Sequence, residues 1–127
     1  GVRDYLEEVK VFLQKMQAAH KPIAALCMAP TTLAKAFENT SVHLQLTVGS
    51  TKAQSPYDIN TINEGMKKIG AIPIMKTVDE VHVDKENKVI TSPCYMMNAT
   101  IVEIYEGIEK TMKALVEMCL TADVLEK

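Results

Sequence analysis

Cys27 occupies the most informative position among the residues of this chain that could do chemistry. It lies inside the run PIAALCMAP (22–30), where an apolar strand ends on the thiol and a helix begins almost at once. Exposed backbone N–H groups at a helix N-terminus favour the ionised form of a thiol. The run therefore predicts a nucleophile on a strand-to-helix turn. It is equally compatible with a small buried thiol, because unpaired cysteines are among the most buried residue types.

The three cysteines stand at positions 27, 94 and 119. Their odd number does not predict a disulfide framework, and no pair has the C-x-x-C spacing of a zinc or thioredoxin-type site. We therefore expect a reducing intracellular compartment, with neither a metal nor a cofactor.

The elements that must position these residues alternate between helix and strand. Hydrophobic periodicity and turn residues predict helices over 4–19, 30–37, 59–69 and 98–120, strands over 23–26, 42–48 and 72–75, and a hairpin of 81–83 with 89–91. Alternation of this kind indicates an α/β fold with a mainly parallel sheet. We expect one domain over residues 1–127, with no internal repeat or linker.

Ligands of open α/β sheets bind outside the carboxyl ends of the strands. The residues at those predicted ends are Cys27, Gly49 with Ser50, Lys76, and Ser92 with Pro93. One edge of the sheet therefore collects a thiol, two hydroxyls and loops, and we expect a pocket there.

Charge and hydropathy exclude two classes of partner. The net charge of −2 gives no long-range attraction to nucleic acid. No apolar run reaches the roughly 18 residues that span a bilayer, so no membrane association is expected. The chain opens without Met and enters a charged helical segment directly, which is compatible with a fragment or a processed product.

Three segments resemble a known family. They are KPIAALCMAPTTLAKAF (21–37), LTVGS (46–50) and HVDKENKVITSPCYM (82–96). They are similar, in the same order, to the ElbB-like (enhancing lycopene biosynthesis) branch of the PfpI and class I glutamine amidotransferase-like superfamily. In that branch the first segment reads roughly K-P-[IL]-G-x-x-C-x-A-P, and the last reads D-x-[DK]-N-K-[VI]-[VI]-T-T-P-A-[YF]-M.

The resemblance implies a flavodoxin-like three-layer sandwich, with Cys27 on a strand-to-helix elbow and a homodimer as the assembly. In the family, a glycine-rich loop and an acidic residue beside the thiol come from an N-terminal half, so residues 1–127 resemble the C-terminal half of one PfpI-like domain. That half is then an expected partner. Animal members resemble mitochondrial matrix proteins, and bacterial members are cytosolic.

The activity that the resemblance implies is a cofactor-independent glyoxalase reaction on a small 2-oxoaldehyde. Cys27 is the expected nucleophile, and the N–H of Met28, which follows it, is the expected oxyanion donor. The alternative is a non-enzymatic, redox- or stress-responsive dimer whose Cys27 is oxidised.

No histidine stands where a Cys–His pair would need it. The segment after the predicted second strand reads Gly49-Ser50-Thr51, and His43 lies at the opposite end of that strand. His82 reads as a surface or structural residue of the hairpin, and His20 as a helix-end residue. The late segment 92–96 has neither His nor Glu, so glutaminase activity is not expected.

The other two cysteines have competing interpretations. Cys94 follows the last strand, where it could act as a resolving thiol for Cys27 or fill space under a loop as a small side chain. Cys119 is expected in the core, on an apolar face of the last helix with Ile101, Ile104, Ile108, Met112 and Leu115. The methionines, including Met16 and Met112, are expected to fill core stripes.

Overall fold

The computed structural model describes the backbone of residues 2–126 and the side chains of residues 6–121. Helices and strands alternate along this part of the chain. They are α1 (Val2–Ala18), β1 (Ile23–Leu26), α2 (Ala29–Ala36), β2 (Gln45–Gly49), α3 (Ile59–Lys68), β3 (Ile72–Met75), β4 (His82–Asp84), β5 (Val89–Ser92), a 3₁₀ turn (Cys94–Met96) and α4 (Ile101–Glu126). Among the described residues, no helix combines the length and the apolar character needed to cross a bilayer.

The strands form two ladders. β5 lies between β1 and β4. β1 pairs with β5 in parallel, with Ile23 opposite Val89 and Leu26 opposite Ser92, and β4 pairs with β5 as the antiparallel arm of the predicted hairpin. β2 and β3 form a second, parallel ladder. The prediction of an α/β fold with a mainly parallel sheet and a hairpin is confirmed.

Hydrogen bonds that involve side chains join the ladders. The Thr91 hydroxyl of β5 accepts from Thr47 N–H of β2 at 3.0 Å, and the Asp84 carboxylate of β4 accepts from Gln45 N–H at 2.9 Å. β2 therefore lies beside β5 and β4 without a regular backbone ladder between them.

The core lies where the helices cover β2 and β5. α2 packs on β1 and β2, α3 on β2 and β3, and α4 on β5 and β1. Leu46 and Val48 of β2 and Val89 and Ile90 of β5 are all fully buried, as expected for strands covered on both faces. Each such side chain contributes about 1.5–3 kcal/mol of transfer free energy. This core fixes β5, the strand that holds the carboxyl end of β1 in place.

α4 buries only part of the predicted apolar face. Ile104 and Thr111 are buried, but Ile101, Met112 and Cys119 are exposed. The buried stripe is therefore rotated about the helix axis relative to the apolar pattern. The expectation that Cys119 and Met112 lie in the core is wrong.

Gly107 explains where α4 meets the rest of the molecule. A Cβ at this position would come within 2.3 Å of the backbone oxygen of Val78 and 3.4 Å of Ser92 Oγ. The helix approaches these backbone atoms closely because Gly107 has no side chain. Gly107 therefore marks the contact face of α4.

β2 begins three residues later than predicted. Val42 N–H donates to the Thr40 hydroxyl at 3.2 Å, and His43 Nδ1 lies 2.7 Å from the Gly70 backbone oxygen. Residues 42 and 43 therefore belong to the turn before the strand, although their alternating pattern resembles a strand.

Candidate functional site

Cys27 lies on a tight turn between β1 and α2. Its φ is +61°, a left-handed conformation that costs a non-glycine residue roughly 1–3 kcal/mol. β1 ends at Leu26 and α2 begins at Ala29, with Pro30 in the first turn, where a missing N–H leaves no partner unsatisfied. Cys27 N–H donates to the Ser92 backbone oxygen at 3.1 Å, which ties the turn to β5. The local geometry is that of a strand-to-helix elbow.

Cys27 and the residue that follows it are both partly exposed at this elbow. Cys27 is half-buried, and Met28, the residue that precedes α2, is 40% exposed. Within residues 2–126, no backbone oxygen accepts a hydrogen bond from Met28 N–H. The Met28 N–H is therefore free to donate to an oxyanion on a substrate carbon that is bonded to Cys27 Sγ. Its role as an oxyanion donor stays a prediction.

A second left-handed turn follows β5, the strand paired with β1. Cys94 has a φ of +53° and is 4% exposed. Cys27 and Cys94 thus follow the carboxyl ends of two neighbouring strands. The pKa of the Cys94 thiol lies above its ordinary value, because burial disfavours the thiolate and the electrostatic effect of Cys27 adds to the rise.

Ser92 and Pro93, both expected to line a pocket, are fully buried between these turns. The Ser92 hydroxyl donates to the Glu80 backbone oxygen at 2.8 Å, and the Pro93 oxygen accepts from Met96 N–H at 3.0 Å. Their polar groups hold the segment around β5 in shape, and a ligand-lining role for them stays a prediction.

The segment after β2 reaches the same edge of the sheet. Gly49 has a φ of +142°, and a Cβ there would come within 2.7 Å of Met97 Sδ. Ser50 is buried, and its hydroxyl accepts from Lys52 N–H at 3.1 Å. Ser50 therefore supports its own loop, and its predicted place in a pocket also stays a prediction.

Sequence reasoning missed the contacts between the loop after β2 and the turn after β5. Asn98 N–H donates to the Gln54 backbone oxygen at 2.9 Å, and the Ser55 hydroxyl donates to the Met96 backbone oxygen. A glycine at the end of an apolar strand was the available signal, since glycine often marks a close approach of another segment. These contacts bring the loop against the turn that carries Cys94.

The histidines are engaged elsewhere. His43 contacts Gly70 at the start of β2, and His20 has a φ of +59° just beyond the end of α1. Among the side chains of residues 6–121, no histidine forms a hydrogen bond with Cys27.

His82 belongs to the strand network. Its Nε2 lies 2.8 Å from Gln45 Oε1. Burial lowers the pKa of His82, Lys76 lowers it further, and Asp84 acts in the opposite direction. The bond to Gln45 links β4 to β2, in keeping with the structural role predicted for His82.

A cavity of about 520 Å³ lies away from the elbow, between α1 and α2. Its walls combine apolar Leu6 and Val9 with charged Glu7 and Lys10, and Cys27 is not among the lining residues. Among the described side chains, no cluster of three His, Cys, Asp or Glu residues could hold a metal ion.

The fold matches that of an amidotransferase-like, flavodoxin-like domain. The crystal structure of an isoprenoid biosynthesis protein with an amidotransferase-like domain from Ehrlichia chaffeensis aligns with a TM-score of 0.75 and 20% sequence identity, over 89% of this chain and 48% of that one.

Two mammalian proteins are similar in sequence. The ES1 protein homolog, mitochondrial, of Rattus norvegicus is 34% identical over 115 residues, which are 88% of this chain and 41% of the relative. The glutamine amidotransferase-like class 1 domain-containing protein 3, mitochondrial, of Homo sapiens is 33% identical over the same shares. The chain thus spans 41% of the length of these relatives. No protein-family model matches. The sequence similarity to these two proteins supports the glutamine amidotransferase-like superfamily, and the structural alignment supports the fold alone.

Proposed function

We propose that this chain carries the thiol of an ElbB-like cysteine protein of the PfpI type, and that Cys27 attacks a small 2-oxoaldehyde such as glyoxal. The observation that carries the proposal is the left-handed turn at Cys27, which holds a half-buried thiol at the start of α2. Strained backbone at a strand-to-helix turn is a typical way to present a nucleophile.

The proposed reaction balances without a redox cofactor. Cys27 Sγ forms a bond to the aldehyde carbon, and the carbonyl oxygen becomes the oxyanion of a hemithioacetal, to which Met28 N–H donates. A proton moves from that carbon to the neighbouring carbonyl carbon through an enediol, which leaves a thioester. Water hydrolyses the thioester to glycolate and returns the thiol.

The proton transfers require a general acid and base, and no described histidine forms a hydrogen bond with Cys27. His43 and His82 are bonded elsewhere. The proposal therefore assigns them to an acidic residue in an N-terminal half of the same domain, outside this chain. The greater length of the relatives supports such a segment.

The free edge of β1 is the place where this segment would join the sheet. Ile23 N–H and Cys27 N–H donate to backbone oxygens of Lys88 and Ser92, so the intervening Ala24 and Leu26 N–H groups point to the opposite edge. Within residues 2–126, no strand pairs with that edge. The homodimer implied by the resemblance stays a further proposal.

The relatives also bear on location. Both carry the word mitochondrial in their names. We accordingly propose the mitochondrion for this chain if it comes from an animal, and the cytoplasm otherwise.

A second candidate function is reversible oxidation of Cys27 in a redox-responsive protein. Two observations favour it: no described histidine bonds to Cys27, and a second cysteine follows the neighbouring strand. This function requires an accessible thiol but no turnover.

Glycolate formation from glyoxal by the full-length protein tests the leading proposal. We expect Cys27→Ala to reduce the rate by at least about 10³-fold, because the nucleophile is lost. Cys119→Ala is the matched control, since it removes an exposed thiol on α4 and should leave the rate unchanged. Equal rates in the wild type and Cys27→Ala would refute the carbonyl chemistry.

A further inference from the structure

We infer that Cys27 and Cys94 form one oxidisable dithiol site, in which Cys94 closes a disulfide onto oxidised Cys27. The inference rests on the second proposed function, oxidation of Cys27, and adds to it a resolving thiol and a defined product. The co-substrate class is a hydroperoxide.

The strand register places the two cysteines next to each other. Leu26 lies opposite Ser92, and Cys27 N–H donates to the Ser92 oxygen at 3.1 Å. Cys27 therefore faces the position of Pro93, and Cys94 is the next residue along the chain. Neighbouring strands lie about 4.8 Å apart, which is the spacing expected between Cys27 and Pro93, and disulfides join Cα atoms about 4.4–6.8 Å apart. Cys94 is one residue further along, and the electrostatic effect of Cys27 on the Cys94 thiol agrees with their proximity.

The backbone at both positions departs from the strand direction. Cys27 and Cys94 have φ values of +61° and +53°, so each side chain leaves a turn rather than the face of a strand. In the described part of the chain, neither thiol is committed to a hydrogen bond with another side chain. A change of the Cys94 rotamer therefore breaks no hydrogen bond to another side chain, and it gives up only the contact with the Tyr95 backbone and packing in the core.

The difference in exposure between Cys27 and Cys94 indicates which thiol is oxidised first and which one resolves it. Cys27 is half-buried and can meet a small oxidant, whereas Cys94 is 4% exposed beneath the turn. Oxidation thus begins at Cys27, and the buried thiol is the one that reacts second. Cys119 is exposed on α4 and provides an internal reference for an ordinary accessible thiol.

The two steps balance in atoms and electrons. The Cys27 thiolate attacks the terminal oxygen of the hydroperoxide, the O–O bond breaks, and an alcohol or water leaves after protonation, giving a sulfenic acid at Cys27. The Cys94 thiolate then attacks the Cys27 sulfur, the S–O bond breaks and water leaves. Two thiols lose two electrons, the hydroperoxide gains them, and an external dithiol reverses the change.

Peptide mapping of the full-length protein after hydrogen peroxide treatment tests the inference. Trypsin places the three cysteines on separate peptides, residues 16–35, 89–110 and 114–127, because a lysine–proline bond at 21–22 resists cleavage. We expect a crosslink between the 16–35 and 89–110 peptides that disappears on reduction. This crosslink should form to the same extent in the Cys119→Ser variant.

Variants at Cys94 separate the possible outcomes. Cys94→Ala and the closer match Cys94→Ser should accumulate Cys27 sulfenic acid, trapped by dimedone, and then sulfinic acid. Oxidised Cys27 without the crosslink in the wild type, or a crosslink to the 114–127 peptide instead, would overturn the resolving role and leave Cys27 oxidation standing. Failure of Cys27 to react ahead of Cys119 would overturn both.

Discussion

Among single residues, Cys27 and Cys94 matter most for function, and both have a left-handed backbone conformation. A glycine would adopt φ values near +60° without strain, yet Cys27 and Cys94 hold them at a cost of roughly 1–3 kcal/mol each. The turn at Cys27 was predictable, because an apolar run and Pro30 bracket it. The conformation of Cys94 was not, since it depends on how the chain leaves β5 beneath the loop that follows β2.

Gly107 gives the sharpest stability prediction for one residue. We expect Gly107→Ala to lower the free energy of unfolding by about 1–3 kcal/mol, because the new Cβ would meet the Val78 oxygen at 2.3 Å. The backbone of that segment or the helix must shift to relieve the overlap. The midpoint of urea unfolding measures the effect.

Gly65→Ala is the matched control for that substitution. Gly65 lies inside α3, and an added Cβ there has no heavy atom within 4 Å. Alanine should therefore raise the free energy of unfolding by roughly 0.5–1 kcal/mol through helix propensity. Equal shifts for the two variants would contradict the close contact at Gly107.

At the scale of elements, α4 shows where hydrophobic periodicity is insufficient. The predicted stripe included Ile104, which is buried, but also Ile101, Met112 and Cys119, which are exposed. The helix contacts the sheet through Ile104 together with a glycine and a threonine, Gly107 and Thr111. A helix with apolar residues on more than one face leaves its orientation undetermined by pattern alone. The close approach of the α4 backbone at Gly107 to the Val78 oxygen then determines the orientation of the helix.

The hydrogen bond between β2 and β5 yields a prediction about how elements are joined. We expect Thr91→Val to cost about 1–3 kcal/mol of unfolding free energy, because it leaves the buried Thr47 N–H without an acceptor. Thr111→Val is the control: its hydroxyl donates within α4 to the Gly107 oxygen, and its loss should cost below about 1 kcal/mol. Chemical denaturation measures the free energy of unfolding of both variants. A smaller loss for Thr91→Val than for Thr111→Val would refute a stabilising role for the hydrogen bond between β2 and β5.

At the scale of the whole molecule, local signals predicted the order of elements and the elbow, whereas the surroundings of the thiol depend on distant segments. Thr47 meets Thr91, and Gly49 meets Met97, across more than forty residues of chain. A glycine such as Gly49 can signal a close approach, but a single sequence does not say which distant segment makes the contact. The general base of the proposed reaction is beyond prediction for another reason: no described histidine forms a hydrogen bond with Cys27, and the proposal assigns this role to a segment outside the chain.

The free edge of β1 gives a prediction about the full-length protein. If an N-terminal half adds a strand there, the N–H groups of Ala24 and Leu26 are hydrogen-bonded in the full-length protein, as that of Ala25 already is through β5. Amide hydrogen exchange followed by NMR should then show all three amides protected to a similar degree. Fast exchange at Ala24 and Leu26 beside a protected Ala25 would mean that β1 remains an edge strand. The acidic residue and glycine-rich loop of the proposed reaction would then have to reach Cys27 by another route.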